Sequence, residues 1–252
     1  MNTDTAMARP DLESWAAPRA DRSSGVFSRH LIEDQPEPVQ RYFRHALAPG
    51  TPLARSVRLR MHGRIRVNGW LPFRAEQVIV DGRGFLWRAR AAGGLVSGYD
   101  LYDRGGAEQR FSLLGIVPVA RATGPDVVRS AMGRAVAELS LLPTALLPSR
   151  GVSWAAADPD HVVATVRADG HIVPLTLAID EEGAVRELSL PRWGNPGGGA
   201  YAEIPFGLCF ETDRTFDGVT IPCIGRAGWW FGTDRWAEGE FFHMIIDAAT
   251  FI

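Results

Sequence analysis

The sequence predicts a mainly β protein, in which an antiparallel meander curls into a barrel or half-barrel around one or two helices. Two observations predict this fold: short β-prone segments follow one another through Gly-containing turns, and few connections are long enough to hold a crossover helix. About nine strands are predicted, and an antiparallel sheet of that many strands is expected to curl. The 252 residues, of which 46% are apolar and 22% charged, suit a globular protein with a sizeable core.

The N-terminal segment differs from the rest of the chain in composition. Residues 1–35 are rich in Asp, Arg, Ser and Pro and have little apolar periodicity, which predicts a disordered or loosely draped leader. Trp15 and Phe27 are the side chains of this leader that could dock on the body of the protein. Residues 36–252 are predicted to form a single β-rich domain.

The first predicted helix opens that domain. Pro38 begins it, and apolar side chains recur with helical spacing from Val39 to Leu47. Pro49 and Gly50 end it. The pattern predicts one buried stripe along the helix.

The first predicted strand, residues 57–67, alternates strictly between inward and outward positions. Its inward positions are apolar or glycine, and its outward face holds Arg58, Arg60, His62, Arg64 and Arg66. This alternation predicts a half-buried antiparallel strand with a cationic outer face. A solvated sheet face explains the arginines, and binding to an anionic surface is the alternative.

Further strands are predicted along the rest of the chain, at residues 73–80, 85–91, 162–168, 171–179, 185–193, 201–216 and 219–231, with shorter strands within 99–120. Trp87 is expected to face the interior together with Phe85 and Ala89, because the three positions alternate along one strand. Asp169-Gly170 has the composition of a two-residue hairpin turn.

A second helix is predicted to begin at Gly124-Pro125-Asp126 and to end before Pro143. Its apolar stripe comprises Val128, Met132, Ala135, Val136 and Leu139. Residues 141–148, which follow, are too apolar to be exposed on a monomer. This segment is expected to plug the concave side of the sheet or to cover the mouth of a pocket.

The most informative stretch lies near the C-terminus. Two aromatic runs flank Gly232-Thr233-Asp234, which predicts a hairpin. If the second run is a regular strand, Trp236, Glu238, Glu240 and Phe242 share one face. A face with that many apolar groups is expected to line a core or a cavity, where its carboxylates need partners.

This arrangement yields the candidate site residues. Glu238 and Glu240, with Cα atoms ~7 Å apart on a strand, could serve as a general acid and a general base. The alternative is that both glutamates are salt-bridged, with Arg192 and Arg226 as partners. The aromatic residues that could bind a ligand, or simply fill the core, are Trp87, Trp193, Tyr201, Trp229, Trp230, Trp236 and Phe242.

Composition excludes several kinds of chemistry. All 27 basic residues are arginine, and without lysine the chain cannot form a Schiff base or a P-loop. Cys209 and Cys223 have neither disulfide-framework nor zinc-ligand spacing, and no cofactor or metal is predicted. The formal charge of −2 argues against nucleic acid as a partner. With no signal-peptide core and no run approaching the ~20 apolar residues of a membrane span, a cytoplasmic protein is expected, with its oligomeric state left open.

Several motifs point to a family. They are Leu71-Pro72-Phe73-Arg74-Ala75-Glu76-Gln77, Pro143-Thr144-Ala145-Leu146-Leu147-Pro148, Leu190-Pro191-Arg192-Trp193-Gly194-Asn195-Pro196, Thr220-Ile221-Pro222 and residues 231–242. In them the chain resembles an uncharacterised family of bacterial proteins of unknown function, over about residues 36–247. More loosely, the order of strands and helices is similar to the lipoprotein-carrier fold. That likeness implies an unclosed barrel wrapped over helices, with an apolar cavity.

Two functions follow as hypotheses. The first is a cofactor-independent enzyme of the cyclase, isomerase or lyase type, acting on a hydrophobic metabolite in an aromatic-lined cavity. The alternative is a non-catalytic protein that binds a lipid or another hydrophobic small molecule in the same cavity. A scaffold role in a larger assembly has only the apolar segment 141–148 in its favour.

Overall fold

The computed structural model describes residues 11–16 and 25–252, and within them thirteen antiparallel strands form one sheet. The first six are β1 (Ser56–Arg66), β2 (Trp70–Val80), β3 (Gly84–Ala91), β4 (Val96–Asp103), β5 (Gly106–Leu113) and β6 (Val117–Ala122). The other seven are β7 (Ser153–Ala156), β8 (His161–Ala168), β9 (His171–Ile179), β10 (Val185–Gly194), β11 (Ala202–Phe216), β12 (Val219–Trp229) and β13 (Glu240–Phe251).

The strand order makes the sheet an open half-barrel. It runs β6-β5-β4-β3-β2-β1-β13-β12-β11-β10-β9-β8-β7, so β6 and β7 are free edges and the curled sheet is not closed. The predicted fold class is therefore confirmed. The predicted number of strands is too low, because the region given as shorter strands within 99–120 forms β4, β5 and β6, and β7 precedes β8.

Four α-helices accompany the sheet in the described part of the chain. They are α1 (Leu12–Ala16), α2 (Glu37–Ala46), α3 (Pro125–Glu138) and α4 (Trp236–Gly239). The two predicted helices correspond to α2 and α3. Helix α3 contacts β3, β4 and β5 from one half of the sheet and β8, β9 and β10 from the other, so it lies across the inner face.

Strand β1 pairs with β2 on one side and with β13, the middle strand of the sheet, on the other. Val57, Leu59 and Met61 on its inner face are buried, as their alternation predicts. The predicted hairpin turn at Asp169-Gly170 is also present, between β8 and β9. Both residues have positive φ (45° and 78°), the conformation that a two-residue turn requires.

Residues 139–150, here called the plug, form three short 3-10 turns after α3. Leu142 and Leu146 are fully buried in the main core, as expected for a segment too apolar to be exposed, and Leu141 also lines the cavity described below. Two hydrogen bonds fix it in place. The Thr144 hydroxyl donates to the Ala54 carbonyl at 2.8 Å, and the Trp154 indole N–H donates to the Leu146 carbonyl at 2.9 Å.

The described parts of the predicted leader pack on the body. Leu12 and Trp15 of α1 lie against Val78 and Leu86 on the outer face of the sheet, while Phe27 is buried in the main core. Residues 1–10 and 17–24 of the leader lie outside the described residues, and the domain boundary at residue 36 stays a prediction.

Candidate ligand-binding cavity

A cavity of about 310 Å³ lies between α3 and the inner face of the sheet. Its apolar lining comprises Met61, Ile65, Trp87, Ala137, Leu141, Phe206, Leu208, Phe210, Ala227, Trp229, Phe241, Phe242 and Met244. Small-molecule sites in proteins begin at about 300 Å³, and an engineered apolar cavity of about half this volume accepts benzene. The cavity is therefore large enough for an organic ligand.

Aromatic rings hold the shape of the wall. Phe242 stacks on Phe73 with ring centroids 5.0 Å apart and meets Trp87 edge-on at 6.1 Å. Phe206 and Trp229 pack edge-to-face at 5.2 Å. Rings that pack in these geometries stabilise one another, so the wall is pre-formed.

One end of the cavity is charged. Arg134 on α3 donates from Nη1 to Asp100 at 2.5 Å and from Nε to Glu138 at 2.7 Å, and Gln77 donates to the other Glu138 oxygen at 2.7 Å. These four side chains, the Arg134 cluster, all line the cavity. The Arg134 guanidinium also lies 4.1 Å from the ring centre of Phe85, a favourable cation–π geometry.

Burial and the neighbouring charges set the protonation of the cluster. Burial raises the pKa of Asp100, although the Arg134 charge acts to lower it. For Arg134, burial acts to lower the pKa, but the charges of Glu138 and Asp100 outweigh it and the pKa rises. Arg134 therefore stays charged, held between two carboxylates.

A second guanidinium enters the cavity from β10. Arg192 is 9% exposed, donates from Nε to the Ser130 carbonyl at 3.0 Å, and lies over the rings of Phe206 (4.6 Å) and Trp229 (4.8 Å). Burial, reinforced by the charge of Arg134, lowers the pKa of Arg192 to about 10. It is still protonated at neutral pH.

The structure brings some of the predicted site residues together and separates others. Trp87, Trp229, Phe242 and Arg192 line the cavity. Trp193, Tyr201, Trp230, Trp236 and Arg226 do not.

The predicted aromatic residues outside the cavity have structural neighbours of their own. The Trp193 indole donates to Asp126 at 2.8 Å, at the start of α3, and its ring stacks with Tyr201. Trp230 lies under the guanidinium of Arg235, and Trp236 packs against Phe231. These contacts place the four rings around the cavity rather than in its wall.

The prediction that Glu238 and Glu240 share one strand face is wrong. Residues 236–239 form the helical turn α4, where the exposed Glu238 pairs with Arg235 at 3.1 Å. Glu240 starts β13 and pairs with Arg226 at 2.9 Å and with His243 at 2.7 Å. Arg226 is therefore the salt-bridge partner of Glu240, as the alternative predicted, whereas Arg192 pairs with neither glutamate.

A β-bulge explains why Glu240 and Phe242 do not share a strand face. Ala227 pairs with Phe242 but the adjacent Gly228 pairs with Glu240, which leaves Phe241 as the extra residue of β13. Both Phe241 and Phe242 then line the cavity, while Glu240 lies on the same side of the strand as His243, away from it. Neither Glu238 nor Glu240 contributes to the cavity wall.

The described residues provide no metal-binding cluster and no disulfide. Among the described residues, no three His, Cys, Asp or Glu side chains are grouped so that they could hold a metal ion. Cys209 and Cys223 are both free thiols. No helix in the described part of the chain has the length and apolar character needed to cross a membrane.

Comparison with known proteins places the chain in a family. A domain described as an outer-membrane lipoprotein-sorting protein from Vibrio parahaemolyticus is 9% identical, with a TM-score of 0.40, and the match covers 85% of this chain and 91% of that one. A LolA superfamily protein from Nitrosomonas europaea is 8% identical, with a TM-score of 0.40, and the match covers 90% and 94%. These likenesses are too distant to transfer a ligand or an activity, and no curated protein matches the sequence. Residues 25–241 match DUF6544, a family of unknown function, and the chain belongs to that family.

Proposed function

We propose that this protein binds a hydrophobic small molecule in the cavity between α3 and the sheet. One observation carries the proposal: a space of about 310 Å³, walled by pre-packed aromatic rings, lies beside a core of fully buried side chains. Protein interiors are close-packed and leave few voids larger than a water molecule. A space of this size with an apolar wall is the default place for an organic ligand.

Binding is better supported than catalysis. Glu238 and Glu240, the residues on which the enzyme hypothesis depended, lie outside the cavity wall. The two acids inside it, Asp100 and Glu138, are both hydrogen-bonded to Arg134. A general acid or base must reach the proton that it transfers, and here the acids are already engaged by a guanidinium.

A neutral fluorescent probe tests the proposal. N-phenyl-1-naphthylamine, which brightens in apolar surroundings, is titrated into the wild type and two variants. Ala227→Phe adds a ring at the cavity wall and should lower probe affinity about 10-fold or more, because the ring occupies ligand space. Ala155→Phe makes the same change at an exposed position on β7 and should leave the affinity unchanged.

Melting temperatures of both variants show whether the added ring disturbs the fold. A wild type that does not bind the probe, or a folded Ala227→Phe variant that binds it as tightly as the wild type, would contradict binding in this cavity.

A further inference from the structure

Arg192 is the guanidinium of the cavity that has no acid beside it. Among the described residues, no carboxylate oxygen lies within 4.0 Å of its nitrogens, whereas Arg134 contacts both Asp100 and Glu138. A buried cation is expected to be paired, because removing it from water without a counter-charge is costly. Because no carboxylate of the described wall bonds directly to Arg192, its guanidinium is open to a carboxylate that a ligand supplies.

The hydrogen bonds of Arg192 leave part of its guanidinium unused. Nε donates to the Ser130 carbonyl at 3.0 Å, and Nη2 reaches the Ser130 hydroxyl at 3.5 Å, which is long for a hydrogen bond. No residue in the described ranges accepts from Nη1. Since Arg192 lines the cavity, these N–H groups remain for a ligand that enters it.

The position of Arg192 is fixed by its neighbours. Its stem crosses α3 at Gly133, where a Cβ would lie 3.0 Å from Arg192 Cγ, so the glycine provides the room that the stem needs. Phe206 and Trp229 hold the other side of the guanidinium. The same two rings belong to the cavity wall, so the charge and the apolar surface face one space.

The Arg134 cluster does not replace the missing partner. It holds two carboxylates around one guanidinium, and its net negative charge attracts Arg192 from beyond hydrogen-bonding distance. Coulomb attraction weakens with distance, and a directly bonded carboxylate adds two charge-assisted hydrogen bonds that the cluster does not supply.

We propose that the ligand is an amphiphile with one carboxylate, which binds the free N–H groups of Arg192 while its apolar body lies along Phe206 and Trp229. This inference rests on the proposed binding function and names the ligand class for the same cavity. A single guanidinium compensates a single negative charge, which favours a carboxylate over a doubly charged phosphate. The planar fork of arginine also matches the two oxygens of a carboxylate.

The test uses three probes that share one apolar body: decanoate, decanol and decylamine. Each compound is titrated into wild-type protein that has N-phenyl-1-naphthylamine bound. The loss of fluorescence as the fluorescent probe is displaced gives the affinity of the compound. At about pH 7.5 decanoate is fully ionised. We expect decanoate to bind about 10-fold or more tightly than decanol, since charge-assisted hydrogen bonds replace neutral ones, and decylamine to bind weakest.

Variants at residue 192 assign that preference. Arg192→Gln should lower the affinity for decanoate about 10- to 100-fold relative to the affinity of the same variant for decanol, because decanol has no carboxylate for the guanidinium to bind. Arg192→Lys keeps the positive charge but loses the planar guanidinium. Its affinity for decanoate should therefore lie between those of the wild type and Arg192→Gln. Arg226→Gln is the matched control, because it removes an arginine from outside the cavity wall and should leave all three affinities unchanged.

The outcomes separate this inference from the proposed function. If decanol binds the wild type as tightly as decanoate, or if Arg192→Gln keeps its affinity for decanoate, the carboxylate assignment is overturned while binding of the fluorescent probe still stands. If the wild type does not bind the fluorescent probe, the proposed function and this inference both fail. Should Arg192→Gln not fold, the order of the three probes on the wild type decides.

Discussion

Two ion clusters on opposite faces of the sheet each join an arginine to a glutamate, but in different surroundings. The Arg134 cluster lies at the inner face, where its three charged side chains are 15–20% exposed. In the outer cluster, formed by Glu240, Arg226 and His243, the glutamate is 16% exposed but its two partners are 42% and 36% exposed. Only the inner cluster meets the cavity. The face of the sheet on which a charged side chain lies, rather than the presence of paired acids among aromatic residues, therefore decides which charges can reach a ligand.

The largest expected difference between the clusters is in stability. Arg134→Leu leaves Asp100 and Glu138 buried without their cation and should lower the free energy of unfolding by about 3–5 kcal/mol. Arg226→Leu breaks an ion pair that water partly replaces, and should cost about 1 kcal/mol or less. Urea unfolding monitored by tryptophan fluorescence measures both. Equal losses would show that the two faces do not differ in this respect.

Asp100, on the inner face, and Asp180, in the turn after β9, should make the stability depend on pH with opposite signs. Burial raises the pKa of Asp100, so its contribution to stability is full below the unfolded pKa of 3.8 and is lost as the pH rises through the folded pKa. At Asp180, burial acts to raise the pKa, but the Ala184 backbone N–H and the Arg186 guanidinium lower it overall. Its contribution is present above 3.8 and is lost as the pH falls through the folded pKa.

Two matched variants measure this contrast. Relative to Asp100→Asn, the wild type should gain stability as the pH falls from neutral to about 4, whereas relative to Asp180→Asn it should lose stability below about 4. Each effect amounts to about 1.4 kcal/mol for every pH unit by which the folded and unfolded pKa values differ. Urea unfolding over a pH series gives both curves, and slopes of the same sign would contradict the assignment.

The smallest effects are expected at the two glutamates of the C-terminal stretch. Glu240→Gln loses a partly buried pair with Arg226 and should lower the free energy of unfolding by about 1 kcal/mol. Glu238→Gln affects an exposed pair and should change it by less than about 0.5 kcal/mol. Neither variant should alter the affinity for N-phenyl-1-naphthylamine by more than about 2-fold, because neither side chain lines the cavity. Loss of probe binding in either variant would contradict the conclusion that neither glutamate contributes to the cavity.

Much of the fold could be predicted because period and turn chemistry are local. The alternation of residues 57–67, the helical spacing in α2 and α3 and the Asp169-Gly170 turn all act within a few residues. The bulge at Phe241 could not be predicted in this way, since it depends on how β13 pairs with β12. One extra residue there sends Glu240 away from the cavity and adds Phe241 to its wall.

The Arg134 cluster was missed for a similar reason. Arg134 and Glu138 are four residues apart beside the apolar stripe of α3, which is a local signal for an ion pair on the flank of a buried helix. Asp100 and Gln77 reach the pair from β4 and β2, and nothing in their own sequence neighbourhoods indicates it. Likewise, the strand pattern predicts Arg192 beside a glutamate on the sheet, whereas the crossing of α3 over β10 brings Arg192 under the helix.

The connection from β6 to β7, residues 123–152, has a mechanical consequence. Among the described strands, every neighbouring pair in the sheet follows in chain order except β13 and β1, so joining the C-terminus to β1 would turn the sheet into one uninterrupted meander. In that view α3 and the plug are a tether between the two free edges, and the helix that covers the cavity is its middle part. A ligand large enough to move the edge strands β6 and β7 apart would therefore stretch the segment that connects them. The length of this segment limits the size of the ligand that the cavity can accept.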